Sequence, residues 1–324
     1  MITEVSQMKK IPVVVVAGPT ASGKTALGVE ICKHFSGEVV SADSMQIYKG
    51  MDIATAKPTK DEMQGIPHHL IDIISPGETF SAAKFKEYAA ECIDGIVSRG
   101  NLPVIVGGTG LYIDTLVNNI TLTETDTDPL LREKLAQKCE RCGAQAMLDE
   151  LAAIDPDYAA NLHPNNTKRI LRALELWYSS GVRMSQQIAL SRLNPSPYDV
   201  CYIVLDVNNR EFLYDRINKR VDIMLEQGLV DEAAEFISNS GETSSQAIGY
   251  KELRPYFNNE TSLQEAVDSL KQSTRRYAKR QLTWFRRNEN AKKLYIDAYN
   301  SKKELAQAAF KIINDSGILK EENK

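Results

Sequence analysis

Ile11-Pro12-Val13-Val14-Val15-Val16-Ala17-Gly18-Pro19-Thr20-Ala21-Ser22-Gly23-Lys24-Thr25 is the stretch that decides the fold. An apolar run leads into Gly-x-x-x-x-Gly-Lys-Thr, and a helical pattern opens at Thr25. Strand, glycine loop and helix in that order make a phosphate-binding P-loop. Gly18 and Gly23 let the chain turn so that successive N–H groups face one anion. The N-terminus of the helix adds its dipole. Lys24 supplies a point charge, and the Thr25 hydroxyl suits the shell of a Mg²⁺ ion. The motif predicts a bound di- or triphosphate and leaves the compound open.

Outward from that loop, the first third of the chain alternates apolar strands and helices. Candidate strands cover 13–17, 39–42, 69–73 and 104–106, with helices over 25–34 and 81–98. Continuous apolar strands joined by helices predict an α/β fold with a P-loop NTPase-like parallel sheet covered by helices. Loops at the carboxyl ends of such strands line the site. The segments 18–25, 43–46 and the glycine loop 107–110 are therefore expected to converge. Asp43 is the acid expected at a strand end, within reach of a proton to be lost; capping a turn is its plainer role. Strand 104–106 gives way to Gly107-Gly108, and no other apolar strand is read as ending in an acid. That weighs against ordinary ATPase chemistry and leaves Asp43 for a second substrate.

The middle changes character. A Thr/Asp-rich linker over 121–128 leads to Asp128-Pro129, an N-cap with proline at the first helical position. A helix is expected to about 142, stopping at Gly143, and another over 166–180, stopping at Gly181. The chain is thus divided into 1–120, the first part of the core; 121–197, a mainly helical insertion domain; and 198–324, the second part of the core. That last part opens with a strand over 201–207 and a helix over 210–227, with Gly228 beyond its end. Leu213, Ile217, Val221 and Met224 share one face of this helix, and Phe212, Arg216 and Arg220 a neighbouring one. The last long helix is placed over 263–288, with Val267, Leu270, Thr274, Tyr277 and Trp284 as its inner stripe.

With 324 residues, 43% of them hydrophobic, the chain can bury a proper core. Its longest apolar run is far too short to span a bilayer. No signal-peptide h-region is read after Lys9 and Lys10, so no secretory signal is expected. Five scattered cysteines suit a reduced, cytoplasmic protein. Cys139-x-x-Cys142 reads as two helix thiols rather than a zinc half-site, and His68 and His69 read as structural. Net charge is −4, yet 271–293 holds nine Lys/Arg against one acid, and 165–192 holds five against one. Two basic stretches in an acidic chain suit a polyanion gripped at particular places; a solvated helix face is the plainer account of each.

Five blocks carry a more specific signal. Residues 18–25, 41–58 (Ser-Ala-Asp-Ser-Met-Gln-Ile-Tyr-Lys-Gly-Met-Asp-Ile-Ala-Thr-Ala-Lys-Pro), 107–112 (Gly-Gly-Thr-Gly-Leu-Tyr), 172–175 (Arg-Ala-Leu-Glu) and 278–286 (Ala-Lys-Arg-Gln-Leu-Thr-Trp-Phe-Arg) closely resemble the bacterial tRNA dimethylallyltransferases of the IPP transferase family. The match runs in order from about Pro12 to Asp297. The resemblance implies that Gly18 through Thr25 bind the pyrophosphate of dimethylallyl diphosphate, with Mg²⁺ at Thr25. The dimethylallyl group would pass to N6 of the adenosine 3′-adjacent to the tRNA anticodon. Asp43 matches the general base, with Lys24, Thr25 and Arg216 as further catalytic groups and Arg220 completing the diphosphate clamp. Asp43, Ser44, Met45 and Gln46 match the segment that holds the target base. Thr109, Arg132, Lys168, Arg169, Ile170, Leu171, Arg172 and Arg280 match positions assigned to tRNA contact. Lys168 departs from the usual Gln: it can grip phosphate but cannot reproduce an amide's paired donor and acceptor. The expected partners are dimethylallyl diphosphate and a tRNA anticodon stem-loop, without membrane, for a cytoplasmic monomer.

Three other readings share parts of this pattern. Adenylate isopentenyltransferases use the same P-loop and Asp on a free nucleotide and need no RNA-gripping insertion. A small-molecule kinase would want the second acid. A purely RNA-binding protein would leave Asp43 without a purpose.

Overall fold

Consecutive valines are buried together only when both faces of their strand are covered. β1 (Ile11–Ala17) is such a strand, with Val13, Val14, Val15 and Val16 wholly inaccessible. Val14 and Val16 pack into one core and Val13 and Val15 into another, as the two-residue period of a strand requires. The computed structural model describes residues 9–122, 128–239 and 247–319. Most of the Thr/Asp-rich linker lies outside those residues.

After β1 come α1 (Lys24–Phe35), β2 (Gly37–Ser41), α2 (Lys60–Met63), β3 (His68–His69), α3 (Ala82–Ser98), β4 (Leu102–Gly107) and α4 (Gly110–Val117). Four helices follow: α5 (Pro129–Ile154), α6 (Pro156–Ala159), α7 (Thr167–Ser180) and α8 (Met184–Ser191). The sheet then resumes with β5 (Tyr198–Asp206), α9 (Arg210–Glu226), α10 (Leu229–Asn239), α11 (Tyr250–Phe257), α12 (Leu263–Phe285), β6 (Lys292–Tyr295) and α13 (Lys302–Ser316). The strands lie in the order β3-β2-β4-β1-β5-β6, every pairing parallel. One core takes Leu27 and Ile31 of α1, Ile217 of α9 and Phe310 of α13; the other takes Phe85 and Ile93 of α3 and Ile113 of α4. A third buries Ile47, Tyr48 and Met51 against Val221, Leu229, Tyr250 and Leu270, anchoring the segment beyond β2 on α9 to α12.

The chain divides into two compact units, Met1–Val117 with Ser196–Lys324, and Asn118–Pro195. The sequence boundaries at 121 and 197 fall slightly further along. The second unit has its own core, built from Leu135, Met147, Leu151, Ile170 and Leu174. Asp128 caps α5 by accepting the Leu130 N–H at 2.9 Å, with Pro129 at the first turn. Gly143 breaks the helical backbone (φ 81, ψ 159), and helix resumes directly after it, a continuation the sequence reading lacked.

Three expectations change. The strand placed at 69–73 shrinks to His68–His69, because Leu70 (φ 61) and Asp72 (φ 56) turn left-handed and leave the ladder. The loop expected over 107–110 is shorter, since α4 begins at Gly110 itself. The third concerns acids at strand ends. β5 also ends in one, Asp206, which is 2% exposed and held by Arg286 through bonds of 2.9 and 2.7 Å. Its carboxylate is committed to the 286 guanidinium, so it is no free acid beside the P-loop.

Gly107 makes the turn after β4 possible. A Cβ there would lie 2.1 Å from the Ala42 carbonyl oxygen, a backbone atom that cannot swing aside. Gly107→Ala is expected to cost about 1–3 kcal/mol or more, read as a lowered midpoint in chemical denaturation. An unchanged midpoint would mean that the ends of β2 and β4 are not clamped together.

Candidate active site

β2, β4 and β1 are adjacent in the sheet, so the segments leaving their carboxyl ends must meet. They enclose a cavity of about 320 Å³ whose lining includes Thr20, Ala21, Lys24, Thr25, Asp43, Ser44, Met45, Gln46 and Gly107. Arg220 of α9 and Thr274, Tyr277, Arg280 and Gln281 of α12 supply the opposite side.

The P-loop is held in shape by its neighbours. Gly18 (φ 153) lies so close to β5 that a Cβ would meet the Leu205 carbonyl at 2.8 Å. Ala21 takes a left-handed backbone (φ 61), costly for a residue with a Cβ. Arg216 braces it, donating Nε–H to the Ala21 carbonyl at 2.8 Å, with its Nη2 beside Gly23. From the other side, Gln281 accepts the Thr20 N–H at 2.9 Å and donates to the Gly108 carbonyl at 2.9 Å. One amide thus ties the P-loop to the glycine loop. Pro19 offers its carbonyl to Lys24 Nζ at 2.7 Å. Ser22 keeps a buried hydroxyl with no hydrogen-bond partner among the described residues. Gly23 stands at the N-cap of α1 without a side-chain cap, and no acid occupies the first turn. An orphaned hydroxyl, an uncapped helix end and an enclosed ammonium together suit a phosphate oxygen.

Electrostatics point the same way. The Lys24 ammonium is enclosed although the residue keeps some exposure, and burial lowers its pKa from 10.5 to about 8 against the opposing pull of Asp43. Burial also depresses the Arg216 and Arg220 guanidinium groups, and for Arg220 the Glu62 and Asp43 charges act in the opposite direction. Three cationic groups are thus held partly desolvated around one loop. A polyanion would relieve that strain in the charge balance.

Asp43 does cap a turn: Oδ1 accepts the N–H of Met45 at 2.9 Å and of Gln46 at 3.4 Å. Those bonds also aim the carboxylate, whose charge acts on Lys24, Arg220 and Tyr277. Thr109 Oγ1 accepts the Ser44 N–H at 3.0 Å, tying the glycine loop to the Asp43 turn. Gln46 accepts from the Ser41 hydroxyl and donates to the Thr55 and Ala56 carbonyls at 3.3 and 3.2 Å. Arg280 lies over the Tyr277 ring, 5.6 Å from its centroid. His68 lines the floor with a buried Nε2 lacking a described partner, while Nδ1 contacts the Ile66 carbonyl at 2.9 Å; burial lowers its pKa.

The remaining predicted residues belong to the second unit. Arg132 and Arg172 both pair with the buried Glu175, at 3.2 and 2.9 Å. Lys168 and Arg169 are exposed at the start of α7. Ile170 is wholly buried and Leu171 packs beside it in the same core, so these two hold the helix rather than present side chains outward.

Gln281 and Tyr277 are site residues that motif reading passed over. Gln281 was legible as a lone amide among Ala278, Leu282 and Phe285 on the buried face of α12. Burial, with Asp43 nearby, pushes the Tyr277 phenol well above its usual range, so it stays a neutral donor.

Against known proteins, the IPP transferase family model matches residues 46–288. A curated relative from Caldanaerobacter subterraneus subsp. tengcongensis, named tRNA dimethylallyltransferase, is 46% identical over 307 residues, covering 94% of this chain and 98% of that one. The crystal structure of a tRNA isopentenylpyrophosphate transferase from Bacillus halodurans is 43% identical with a TM-score of 0.70, over 96% of this chain and 99% of that one. A eukaryotic dimethylallyltransferase seen acting on tRNA is 30% identical with a TM-score of 0.77, over 94% and 79% respectively.

The lowered Lys24 pKa sets a pH dependence. In the empty protein the folded pKa lies below the unfolded one, so stability rises with pH between about 8 and 10.5. A bound anion favours the charged ammonium. Inorganic diphosphate should therefore bind with proton uptake above pH 8, its Kd rising toward roughly tenfold per pH unit. Calorimetry at pH 9 in two buffers of different ionisation enthalpy reads the uptake. No uptake would mean that the anion does not meet Lys24.

Proposed function

The chain belongs to the IPP transferase family, and from that premise we propose that it moves the dimethylallyl group of dimethylallyl diphosphate to N6 of the adenosine 3′-adjacent to the tRNA anticodon, releasing diphosphate. The enzyme is a prenyltransferase acting on tRNA. The observation that carries the finer reading is that Lys24 and Asp43 face one cavity, with Arg216 braced against the loop that turns around it.

The reaction sets two demands. An adenine N6 amine is a weak nucleophile, because its lone pair is delocalised into the ring. It needs an acceptor for its proton, and Asp43 is the acceptor at the junction of the two subsites. The departing diphosphate gains charge as the C–O bond breaks. Lys24, Arg216 and Arg220 are already charged, oriented and partly desolvated to meet it. Ser22 and the uncapped N–H groups of α1 complete the cradle. Thr25 offers its hydroxyl to a Mg²⁺ ion. No cluster of three His, Cys, Asp or Glu side chains that could hold a metal stands among the described residues, and Thr25 is the residue that would meet the ion. When bound, the ion neutralises charge on the leaving group.

Allylic cation character is quenched by water, so the pocket must close over its substrates. A base stacked in an anticodon loop must also leave the stack to enter. In this reading Ser44, Met45 and Gln46 receive it beside Tyr277, with Thr109 bonded to the Ser44 N–H behind them. Arg280, Arg132, Lys168, Arg169 and Arg172 serve the RNA backbone in this reading, and the helical unit is the tRNA grip. Ile170 and Leu171 support that surface from inside. No described helix is long and apolar enough to cross a membrane. A tRNA substrate suits a cytoplasmic enzyme. The same reading takes the enzyme as a monomer.

Labelled dimethylallyl diphosphate offered with Mg²⁺ to unmodified tRNA and to AMP in parallel tests this reading. Label is expected on tRNA alone; label on AMP alone would convert the enzyme to a free-nucleotide transferase. Asp43→Asn should keep tRNA affinity within about threefold and lower transfer roughly 10² to 10⁴-fold. Equal losses of binding and rate would remove Asp43 from the base role. Arg216→Ala should lower the rate about 10²-fold or more, and Arg216→Lys should not restore it, because an ammonium lacks the fork that meets Ala21 and the anion together.

A further inference from the structure

Glu232 makes an unusual set of contacts outside the site. Its Oε2 accepts the backbone N–H groups of Asp52 and Ile53 at 2.9 and 2.7 Å. Its Oε1 accepts the Ala54 N–H at 2.9 Å and the Tyr250 hydroxyl at 2.8 Å. Three successive N–H groups turned toward one point form an anion-binding nest, and here a carboxylate from α10 fills it. The wall behind is rigid. Tyr250 is 1% exposed and its ring stacks on Phe236, with centroids 5.4 Å apart. Gly249 (φ 115) approaches so closely that a Cβ would stand 3.0 Å from the Ala54 Cβ.

The strap held this way continues directly into the cavity. Ala54, Thr55, Ala56 and Pro58 line it. The Thr55 and Ala56 carbonyls receive the Gln46 amide, and the Ala56 carbonyl also receives Arg220 Nη2 at 3.4 Å. Gln46 belongs to the base-holding segment and Arg220 to the diphosphate clamp. One carboxylate therefore stands behind both subsites through a single short segment.

We propose that Glu232 is a positioning residue for the transfer reaction: by filling the nest at 52–54 it sets the Thr55 and Ala56 carbonyls, and through them the Gln46 amide and the Arg220 guanidinium. This rests on the function proposed above. Glu232 touches neither substrate, and its effect passes through the three hydrogen bonds that Gln46 and Arg220 donate to these carbonyls. Glu232→Gln keeps the shape but leaves one acceptor oxygen where two serve four donors. Glu232→Asp keeps the charge and shortens the reach.

The test is a double-mutant cycle on the full chain, assayed well below each variant's melting temperature. Glu232→Gln should raise the tRNA KM roughly tenfold, and Gln46→Ala should do the same; together they should fall well short of the product of the two, because both act through one link. Calorimetry with inorganic diphosphate should show a weakened Kd in Glu232→Gln, a readout independent of transfer. Glu232→Asp should lie between wild type and Gln on both scales, and it serves alone if the Gln variant does not fold. Multiplying losses, or a lowered melting temperature with tRNA KM and diphosphate Kd unchanged, would overturn the proposal and leave Glu232 a purely structural anchor. Wild-type protein that fails to transfer would instead sink the function itself.

Discussion

Lys24 Nζ sits enclosed beneath the P-loop, donating to the Pro19 carbonyl while Asp43 supplies the nearby negative charge. Holding an ammonium there is costly, and its pKa falls for that reason. The surrounding structure is arranged to keep it there. The sheet order puts the glycine loop on the strand beside β1 and Asp43 one strand further on. Arg216 and Gln281 hold the loop open from two sides. Gly107 lets β2 and β4 close behind it. A loop braced from two sides keeps its donors aimed at one point, which is what stabilising a leaving group demands.

The same frame separates two kinds of P-loop chemistry. A phosphoryl-transfer enzyme places an acid on the metal beside the loop. In this chain the acid at the end of β5, Asp206, is neutralised by Arg286, and the carboxylate that lines the cavity together with Lys24 is Asp43. In the proposed reaction these two groups share the cavity in which a bond to carbon would form. Part of the basic charge along α12 and at its C-cap is engaged internally as well. Lys271 pairs with Asp222, Arg275 with Asn218 and Arg286 with Asp206, which leaves Arg276, Lys279 and Arg280 exposed on the helix.

What the sequence made legible is local chemistry. The P-loop, the Asp43 turn and the glycine loop each depend on backbone demands a few residues long, so their residue types give them away. The long-range partners were not legible. Asp206 follows an apolar run, yet its role is set by Arg286, far along the chain and on another element. Glu232 looks like any acid in the first turn of a helix until the folded chain brings three N–H groups to it. Gln281 shows in the pattern only as an interruption. The strand expected over 69–73 is cut short by two left-handed residues that apolar patterning does not report. β6 was missed because an exposed edge strand beginning Lys292-Lys293 carries little apolar signal. Ile170 and Leu171 fell inside a stretch whose charges suggested a surface, while helical periodicity turned them inward.

The most direct test of the account is the fate of phosphorus during a single turnover. Phosphorus NMR of enzyme, dimethylallyl diphosphate, Mg²⁺ and unmodified tRNA should show one intact inorganic diphosphate for each base modified, without orthophosphate and without any need for ATP. Orthophosphate release, or transfer that proceeds only with ATP, would contradict a P-loop that cradles a leaving diphosphate.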